Sequence, residues 1–326
     1  MNFANARSER PAWQVAEPRM FADRRISVPL ESVPLRPAGY NPADVSEARH
    51  VKISDLFKVE GYGVVVTGGA SGLGLGFSEA LADNGARVTM LDVDPERIAK
   101  QTQRLKDKGY DVRGAVVDVT DHPALDKAID EAAALYGKLD VVFANAGIDS
   151  GPGYLNAWVG GNRGRNPDGA IENYADERWQ KVIDINLTGV FATCRAAARH
   201  MRPRRQGRII VTTSLAGLTQ EGVIGSAYMA AKAGAAHFMR NLALELAAYN
   251  ICVNAIAPGF FVTNIGGGHA HNPETQKTVA AHLPMHRVGW PDDMQGLALF
   301  LSSPACGYIT GQQIVIDGGW GLGTAD

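Results

Sequence analysis

The chain has 326 residues, of which 45% are hydrophobic and 20% charged, with 32 Lys and Arg against 34 Asp and Glu. This near-neutral balance disfavours a nucleic-acid binder and a polybasic membrane-surface protein. Cys194, Cys252 and Cys306 lie far apart in the sequence. They lack metal-ligand spacing, so we expect no metal site, no disulfide framework and a cytoplasmic protein. No apolar run reaches the ~20 residues that span a bilayer.

The beginning of the chain differs in composition from the remainder. Residues 1–50 contain six prolines and follow neither a helical nor a strand period. Apolar residues such as Trp13 and Phe21 favour an extended arm against a neighbouring subunit, and the alternative is a disordered tail. We therefore predict an arm over 1–51 and a single catalytic domain over 52–326.

From Leu56 onward, predicted strands alternate with predicted helices. The strands are short runs rich in β-branched residues, and glycines such as Gly85 and Gly109 end helices. The predicted strands cover 63–67, 87–92, 111–117, 141–144, 208–212, 251–255 and 312–316. The predicted helices cover 73–84, 94–108, 123–136, 176–201, 228–249 and 292–301. This alternation predicts an α/β fold, a doubly wound parallel seven-stranded sheet with helices on both faces.

The first predicted strand runs directly into a glycine-rich turn that opens a helix, TGGASGLG at 67–74. Glycines at this junction let main-chain N–H groups and a helix N-terminus approach a pyrophosphate. The predicted cofactor-binding residues of this turn are Gly68, Ser71, Gly72, Leu73 and Gly74. The second strand ends at Asp92, whose carboxylate suits the two ribose hydroxyls of an adenosine and would repel a 2′-phosphate. The sequence therefore favours NAD over NADP.

A second motif, YMAAK at 228–232, begins one of the long predicted helices. The spacing of four places Tyr228 and Lys232 on one helical face. An ordinary tyrosine has a pKa near 10 and is a poor base at neutral pH, but a nearby ammonium lowers that pKa. The pair indicates general acid/base chemistry, although the same spacing also occurs on ordinary surface helices.

Eight motifs follow one another in a familiar order. They are TGGASGLG (67–74), Asp92, DV (118–119), NAG (145–147), Asn186, TTSLAG (212–217), YMAAK (228–232) and PGFFVT (258–263). Together they resemble the short-chain dehydrogenase/reductase family over about residues 52–320. The resemblance implies a Rossmann-like fold and a bound nicotinamide cofactor. Enoyl-reductase relatives space the tyrosine and lysine more widely, which disfavours that reaction here.

The resemblance also implies a role for each matching residue. Tyr228 would be the general acid/base, Ser214 would hydrogen-bond the substrate oxygen, and Lys232 would lower the pKa of Tyr228 and hold a nicotinamide ribose hydroxyl. Asn186 would pin a water that connects Lys232 to solvent. The other cofactor contacts would come from Asp118 and Val119 at the adenine, Asn145, Ala146 and Gly147 at the centre, and Pro258, Gly259, Phe261 and Thr263 at the nicotinamide end.

These roles predict an NAD-dependent dehydrogenase that interconverts a secondary alcohol and a ketone. The alternative is a catalytically silent regulator of the same fold that senses NAD. The intact set of catalytic residues argues against it, because a sensor needs only the glycine turn. Members of the family usually pair through the two long helices, so we expect a homodimer or homotetramer.

Two segments flank the expected substrate site, and the first of them, like the arm, departs from the family pattern. Residues 148–175 are longer than usual, and a lid and a flexible surface loop are equally open interpretations. Residues 264–284 contain three consecutive glycines and predict a mobile flap. In this flap His269 or His271 could contact the substrate, but solvated side chains are the favoured interpretation.

The candidate pocket residues combine apolar and neutral polar side chains. They are Ser150, Tyr154, Trp158, Leu215, Gln220, Phe260 and Phe261. This combination favours a neutral cyclic alcohol, a polyol or a sugar-like substrate, while Arg163 and Arg165 leave an acidic substrate open.

Overall fold

The computed structural model describes residues 51–156 and 164–323, which belong to one compact unit, Val51–Asp326. Apart from Val51, the predicted arm lies outside the described residues, as do Trp158 and Arg163. Within the described part, seven strands form a single parallel sheet in the order β3-β2-β1-β4-β5-β6-β7. The predicted doubly wound α/β fold is confirmed.

The predicted strands and helices are all found, with ends displaced by a few residues at most. The strands are β1 (Gly63–Thr67), β2 (Arg87–Asp92), β3 (Val112–Val116), β4 (Val141–Ala144), β5 (Gly207–Thr212), β6 (Ile251–Pro258) and β7 (Gln313–Ile316). The helices are α1 (Ile53–Leu56), α2 (Gly72–Asp83), α3 (Pro95–Asp107), α4 (His122–Tyr136), α5 (Asp176–Ile183), α6 (Gly189–Arg204), α7 (Ser226–Leu246), α8 (Pro273–Ala280) and α9 (Gln295–Ser302).

Side-chain alternation along the central strands divides the core into two layers. In β1, Val65 packs on the face covered by α4, α6 and α7, whereas Val64 and Val66 pack on the opposite face with α2, α3 and α9. All three valines are fully buried. Each such burial stabilises the fold by ~1.5–3 kcal/mol, so the sheet is a rigid platform for the loops at its edges.

The long helix predicted over 176–201 contains an irregularity. A π-helical turn, Asp184–Thr188, separates α5 from α6. Such turns insert one residue into an α-helix and are frequent at functional sites. The turn contains Asn186, which is fully buried.

The predicted flap over 264–284 contains a helix that the sequence analysis missed. Asn272 caps α8, because its side-chain oxygen accepts from Glu274 N at 2.8 Å, and Pro273 occupies the first helical position. Before this helix, Gly266, Gly267 and Gly268 all have positive φ angles of 68°, 72° and 79°. A side chain at any of these positions would be strained, which explains the triplet.

No helix in the described part of the chain has both the length and the apolar character needed to cross a membrane. Over the same residues, no group of His, Cys, Asp and Glu is arranged to hold a metal ion. Cys194, Cys252 and Cys306 are buried free thiols. Burial raises the pKa of Cys194 to about 12, so this thiol packs in the core as an uncharged side chain.

Candidate active site

Most of the predicted site residues lie at or just beyond the carboxyl ends of the strands. The strand order reverses between β1 and β4, and in such sheets the crevice at this point binds ligands. Thr67 and Asn145 brace it: Asn145 Nδ2 donates to Thr67 O at 3.0 Å, and Thr67 Oγ1 accepts from Asn145 N at 3.0 Å. Thr212 Oγ1 donates to Asn145 Oδ1 at 2.9 Å, which adds the end of β5. Asn145 therefore fixes three strand ends relative to one another.

The glycine turn between β1 and α2 has the close packing that a dinucleotide site requires. A Cβ at Gly74 would lie 2.1 Å from Gly68 O, so no larger residue fits there. A Cβ at Gly72 would lie 3.4 Å from Thr263, which brings the segment after β6 to this turn. The first N–H groups of α2 have no intrahelical acceptor, and they suit a pyrophosphate. The residues of this turn therefore fit the predicted cofactor.

Asp92 lies at the end of β2 beside the glycine turn. Its side chain is 7% exposed, Oδ2 accepts from Ala70 N at 3.2 Å, and Oδ1 accepts from Asp94 N at 3.2 Å. The next residue, Val93, is exposed, and the nearby Arg97 is paired with Asp94 at 3.0 Å. The site thus presents the Asp92 carboxylate to a ribose, while the neighbouring cation, Arg97, is already paired with Asp94.

Asn186, Gly147 and Lys232 converge on one side of the crevice. Asn186 Oδ1 accepts from Ile148 N at 2.9 Å, and Asn186 Nδ2 donates to Ile148 O at 2.8 Å. A Cβ at Gly147 would lie 2.7 Å from Asn186 Oδ1 and 3.4 Å from Lys232 Nζ. The π-helical turn therefore holds the loop after β4 against the lysine.

Lys232 is buried in α7, with a side chain that is 2% exposed. Its Nζ donates to Thr212 O at 2.8 Å and lies 5.6 Å from the centre of the Tyr228 ring. Burial disfavours the ammonium form and lowers the pKa of Lys232 to about 8. A lysine with this pKa can exchange its proton close to neutral pH.

Tyr228 lies one turn before Lys232 on α7 and is partly exposed. Burial raises the pKa of Tyr228 to about 12, a hydrogen bond with Ser214 acts in the opposite direction, and the Asp149 carboxylate raises the pKa further. Burial is the largest of these effects, and the lowering of this pKa by Lys232 stays a prediction. Ser214 itself begins a short 3₁₀ turn, where its Oγ accepts from Ala216 N at 3.2 Å.

The described ends of the enlarged 148–175 segment are fixed beside Tyr228. Gly153 N donates to Val223 O at 3.0 Å, and Leu155 N donates to Gly222 O at 2.9 Å. Arg178 on α5 donates to three carbonyl oxygens of the segment, those of Ser150, Pro152 and Asp168. The segment therefore forms a wall against the loop that leads into α7.

Several other predicted site residues are buried or form hydrogen bonds within the fold. Ser150 is buried, and its Oγ donates to Gly225 O at 3.1 Å. Phe261 is buried against Gly289, so its contribution to a cofactor would come from the main chain. Val119 is buried in the core, and Asp118 Oδ1 accepts from Thr120 N at 2.9 Å.

The remaining predicted residues divide between the crevice and the surface. Gly259 N donates to Ile316 O at 2.9 Å, which holds the segment that follows Pro258 against the end of β7. Tyr154 and Gln220 are exposed, whereas Leu215 is buried. His271 contacts Asn264 Oδ1 at 3.0 Å within the flap. Sequence analysis missed Arg178 and Asp149, for which no motif gave a signal.

The glycine turn, the strand-end crevice and the Ser, Tyr and Lys set define a nicotinamide-dependent oxidoreductase. A family model described as enoyl-(acyl carrier protein) reductase matches residues 68–321. The chain is 35% identical over 257 residues to a 3-oxoacyl-[acyl-carrier-protein] reductase of Chlamydia muridarum, covering 78% of this chain and 95% of the relative. It is 30% identical over 267 residues to the 5-keto-D-gluconate 5-reductase of Escherichia coli K12, covering 82% and 98%.

A solved structure adds to these matches. The gluconate 5-dehydrogenase from Burkholderia cenocepacia, in complex with NADP and tartrate, is 29% identical with a TM-score of 0.71, covering 81% of this chain and 97% of that chain. The protein belongs to the short-chain dehydrogenase/reductase family and is an oxidoreductase of that family, as the sequence motifs predicted.

Proposed function

We propose that the protein is an NAD(H)-dependent dehydrogenase that interconverts a secondary alcohol and a ketone, with Tyr228 as general acid/base. The observation that carries this proposal is the convergence of Tyr228, Ser214, Lys232 and Asn186 at the strand edge that holds the glycine turn. A regulator that only sensed the cofactor would not need this set.

The protonation states support a direct role for Tyr228. With a pKa of about 12, its hydroxyl keeps its proton at neutral pH and can donate it to a carbonyl oxygen that becomes an alkoxide. Ser214 would hydrogen-bond the same substrate oxygen, and Lys232 would restore the proton, since its pKa of about 8 lies near neutrality. The bound nicotinamide supplies or accepts the hydride. In the oxidising direction Tyr228 would have to be the phenolate before it accepts the alcohol proton, and the positive charges of Lys232 and of an oxidised nicotinamide would favour that form.

The cofactor is proposed to be NAD. The carboxylate of Asp92 beside the glycine turn supports this choice, since a 2′-phosphate would meet its negative charge. Because the Burkholderia cenocepacia relative was solved in complex with NADP, the choice between NAD and NADP is tested by comparing the two cofactors directly.

The proposed substrate is a small secondary alcohol or ketone, and the proposed assembly is a homodimer or homotetramer. A 5-keto-D-gluconate 5-reductase among the relatives supports a hydroxylated substrate. Large apolar side chains exposed on the long helices, Trp179, Phe191 and Leu244, support association through those helices. The buried free cysteines are consistent with a cytoplasmic location.

Tyr228→Phe tests the proposed function. Wild type should reduce NAD in the presence of members of a panel of secondary alcohols, measured by the absorbance of the reduced cofactor. Turnover by the variant should fall by ~10²–10⁴-fold, while the variant still binds NAD. Tyr308→Phe, which alters a fully exposed tyrosine, is the matched control. Cofactor binding without turnover of any alcohol or ketone by wild type would favour the silent regulator.

A further inference from the structure

Asp149 lies between two anchors that hold it at the catalytic residues. On one side, both main-chain polar groups of Ile148 bind the side chain of Asn186. On the other side, Ser150 Oγ donates to Gly225 O, the oxygen that also accepts from Tyr228 N at 3.1 Å. Its position relative to Tyr228 is therefore fixed by both neighbours.

The carboxylate of Asp149 is exposed and faces the flap. Among the described residues it forms no hydrogen bond and no ion pair. Its Oδ2 lies 3.9 Å from the position of a Cβ on Gly266, the first glycine of the flap triplet. It is also close enough to Tyr228 to act on the tyrosine electrostatically. The carboxylate thus borders the space between the general acid/base and the flap, where a substrate would extend beyond its reacting carbon.

The chemistry of a free carboxylate at this place restricts what can bind. An ionised carboxyl group only accepts hydrogen bonds, so it suits a hydroxyl and repels a second carboxylate. A substrate ammonium would have to approach the Lys232 ammonium and the positive ring of an oxidised nicotinamide, which disfavours amino alcohols. An uncharged substrate with additional hydroxyls satisfies the site best.

We propose that Asp149 is a specificity-determining residue that selects uncharged, polyhydroxylated secondary alcohols by accepting a hydrogen bond from a hydroxyl next to the reacting carbon. The inference rests on the proposed function, because it assigns the substrate class of the same site. A hydrogen bond to a charged acceptor corresponds to roughly 10- to 100-fold in discrimination. Wild type should therefore prefer a vicinal cyclic diol to the matching cyclic monoalcohol by about that factor.

The test compares kcat/KM for two substrate pairs, a cyclic diol against its monoalcohol and sorbitol against gluconate. Asp149→Ala should reduce the preference for the diol to near unity, since the acceptor is lost. Asp149→Asn should raise gluconate relative to sorbitol, since an amide does not repel the acid. Glu172→Ala, which removes an exposed acid from the same segment, should leave both ratios unchanged.

A binding measurement separates this inference from the proposed function. Titration of Tyr228→Phe with the diol in the presence of NADH, followed by cofactor fluorescence, should show weaker binding when Asp149→Ala is added. Absence of turnover in wild type would refute the proposed function, and the titration would still decide the role of Asp149. Unchanged ratios and unchanged binding in the Asp149 variants would overturn the inference, as would a wild-type preference for an amino alcohol or for gluconate.

Discussion

Replacing Lys232 by Met should make the cofactor-free protein more stable at neutral pH, although it removes a residue of the proposed catalytic set. Lys232 is 2% exposed, and its Nζ has one described hydrogen-bond acceptor, Thr212 O. A buried ammonium with a single neutral acceptor is poorly solvated, and its pKa falls from 10.5 to about 8. The folded protein therefore carries a charge that its unfolded chain would solvate better.

The magnitude follows from that fall in pKa, which corresponds to roughly 3 kcal/mol against the folded state at neutral pH. Loss of the bond to Thr212 O offsets about 1–2 kcal/mol, so a net gain of about 1–2 kcal/mol is expected. Between the folded pKa of about 8 and the unfolded value of 10.5, only the unfolded chain keeps the proton. Wild type therefore gains stability as pH rises through this window, and the advantage of Lys232→Met shrinks by about 2 kcal/mol near pH 10.

Urea unfolding with linear extrapolation, at pH values from about 7 to about 10, measures both the gain and its pH dependence. The buried cysteines and Tyr228 titrate in both proteins, so their contributions cancel in the difference. Lys100→Met removes an exposed lysine from α3 and should change stability little at any pH. A variant less stable than wild type near pH 7, or a difference that does not vary with pH, would refute this reasoning.

Two other substitutions test the site from different sides. Asp92→Ala should raise the Michaelis constant for NAD and shift the ratio of kcat/KM values toward NADP, because the carboxylate no longer opposes a 2′-phosphate. Asp111→Ala is the control, and an unchanged ratio in Asp92→Ala would contradict the cofactor assignment. Arg178→Met should raise KM for the substrate while NAD affinity is retained, because the guanidinium holds three carbonyl groups of the 148–175 segment. Lys181→Met on the same helix is its control, and equal substrate KM values in the two variants would disprove the positioning role.

Most parts of the fold that depend on local sequence were predicted correctly, although α8 was missed despite its Asn272 cap and Pro273. The buried run Val64–Val66 could only be a central strand, and Asp94 with Pro95 marked the start of α3 as the structure has it. The spacing of Tyr228 and Lys232 likewise placed both side chains on the crevice side of one helix, because helical geometry fixes that relation.

The parts that depend on contacts between distant residues were missed. The π-helical turn is held by Asn186 and Ile148, which lie 38 residues apart in the sequence, and its residues have ordinary helical propensities. The pKa of Tyr228 depends on burial and on Asp149, neither of which the motif encodes. The carbonyl contacts of Arg178 require the folded loop, so a lone arginine gave no signal.

The π-helical turn allows α5 and α6, the two helices that it joins, to pack against different neighbours. Val182, before the turn, packs against Ala227 and Ala231 of α7, whereas Val190 and Cys194, after it, pack into the layer beneath the sheet. One inserted residue rotates the following helix by ~100°, the angle between successive α-helical residues. Deleting a single residue here would give a straighter helix and leave one of the two apolar stripes turned toward water. The π-helical turn therefore lets the apolar side chains before it and after it be buried in two different clusters, which a regular helix of this sequence could not do.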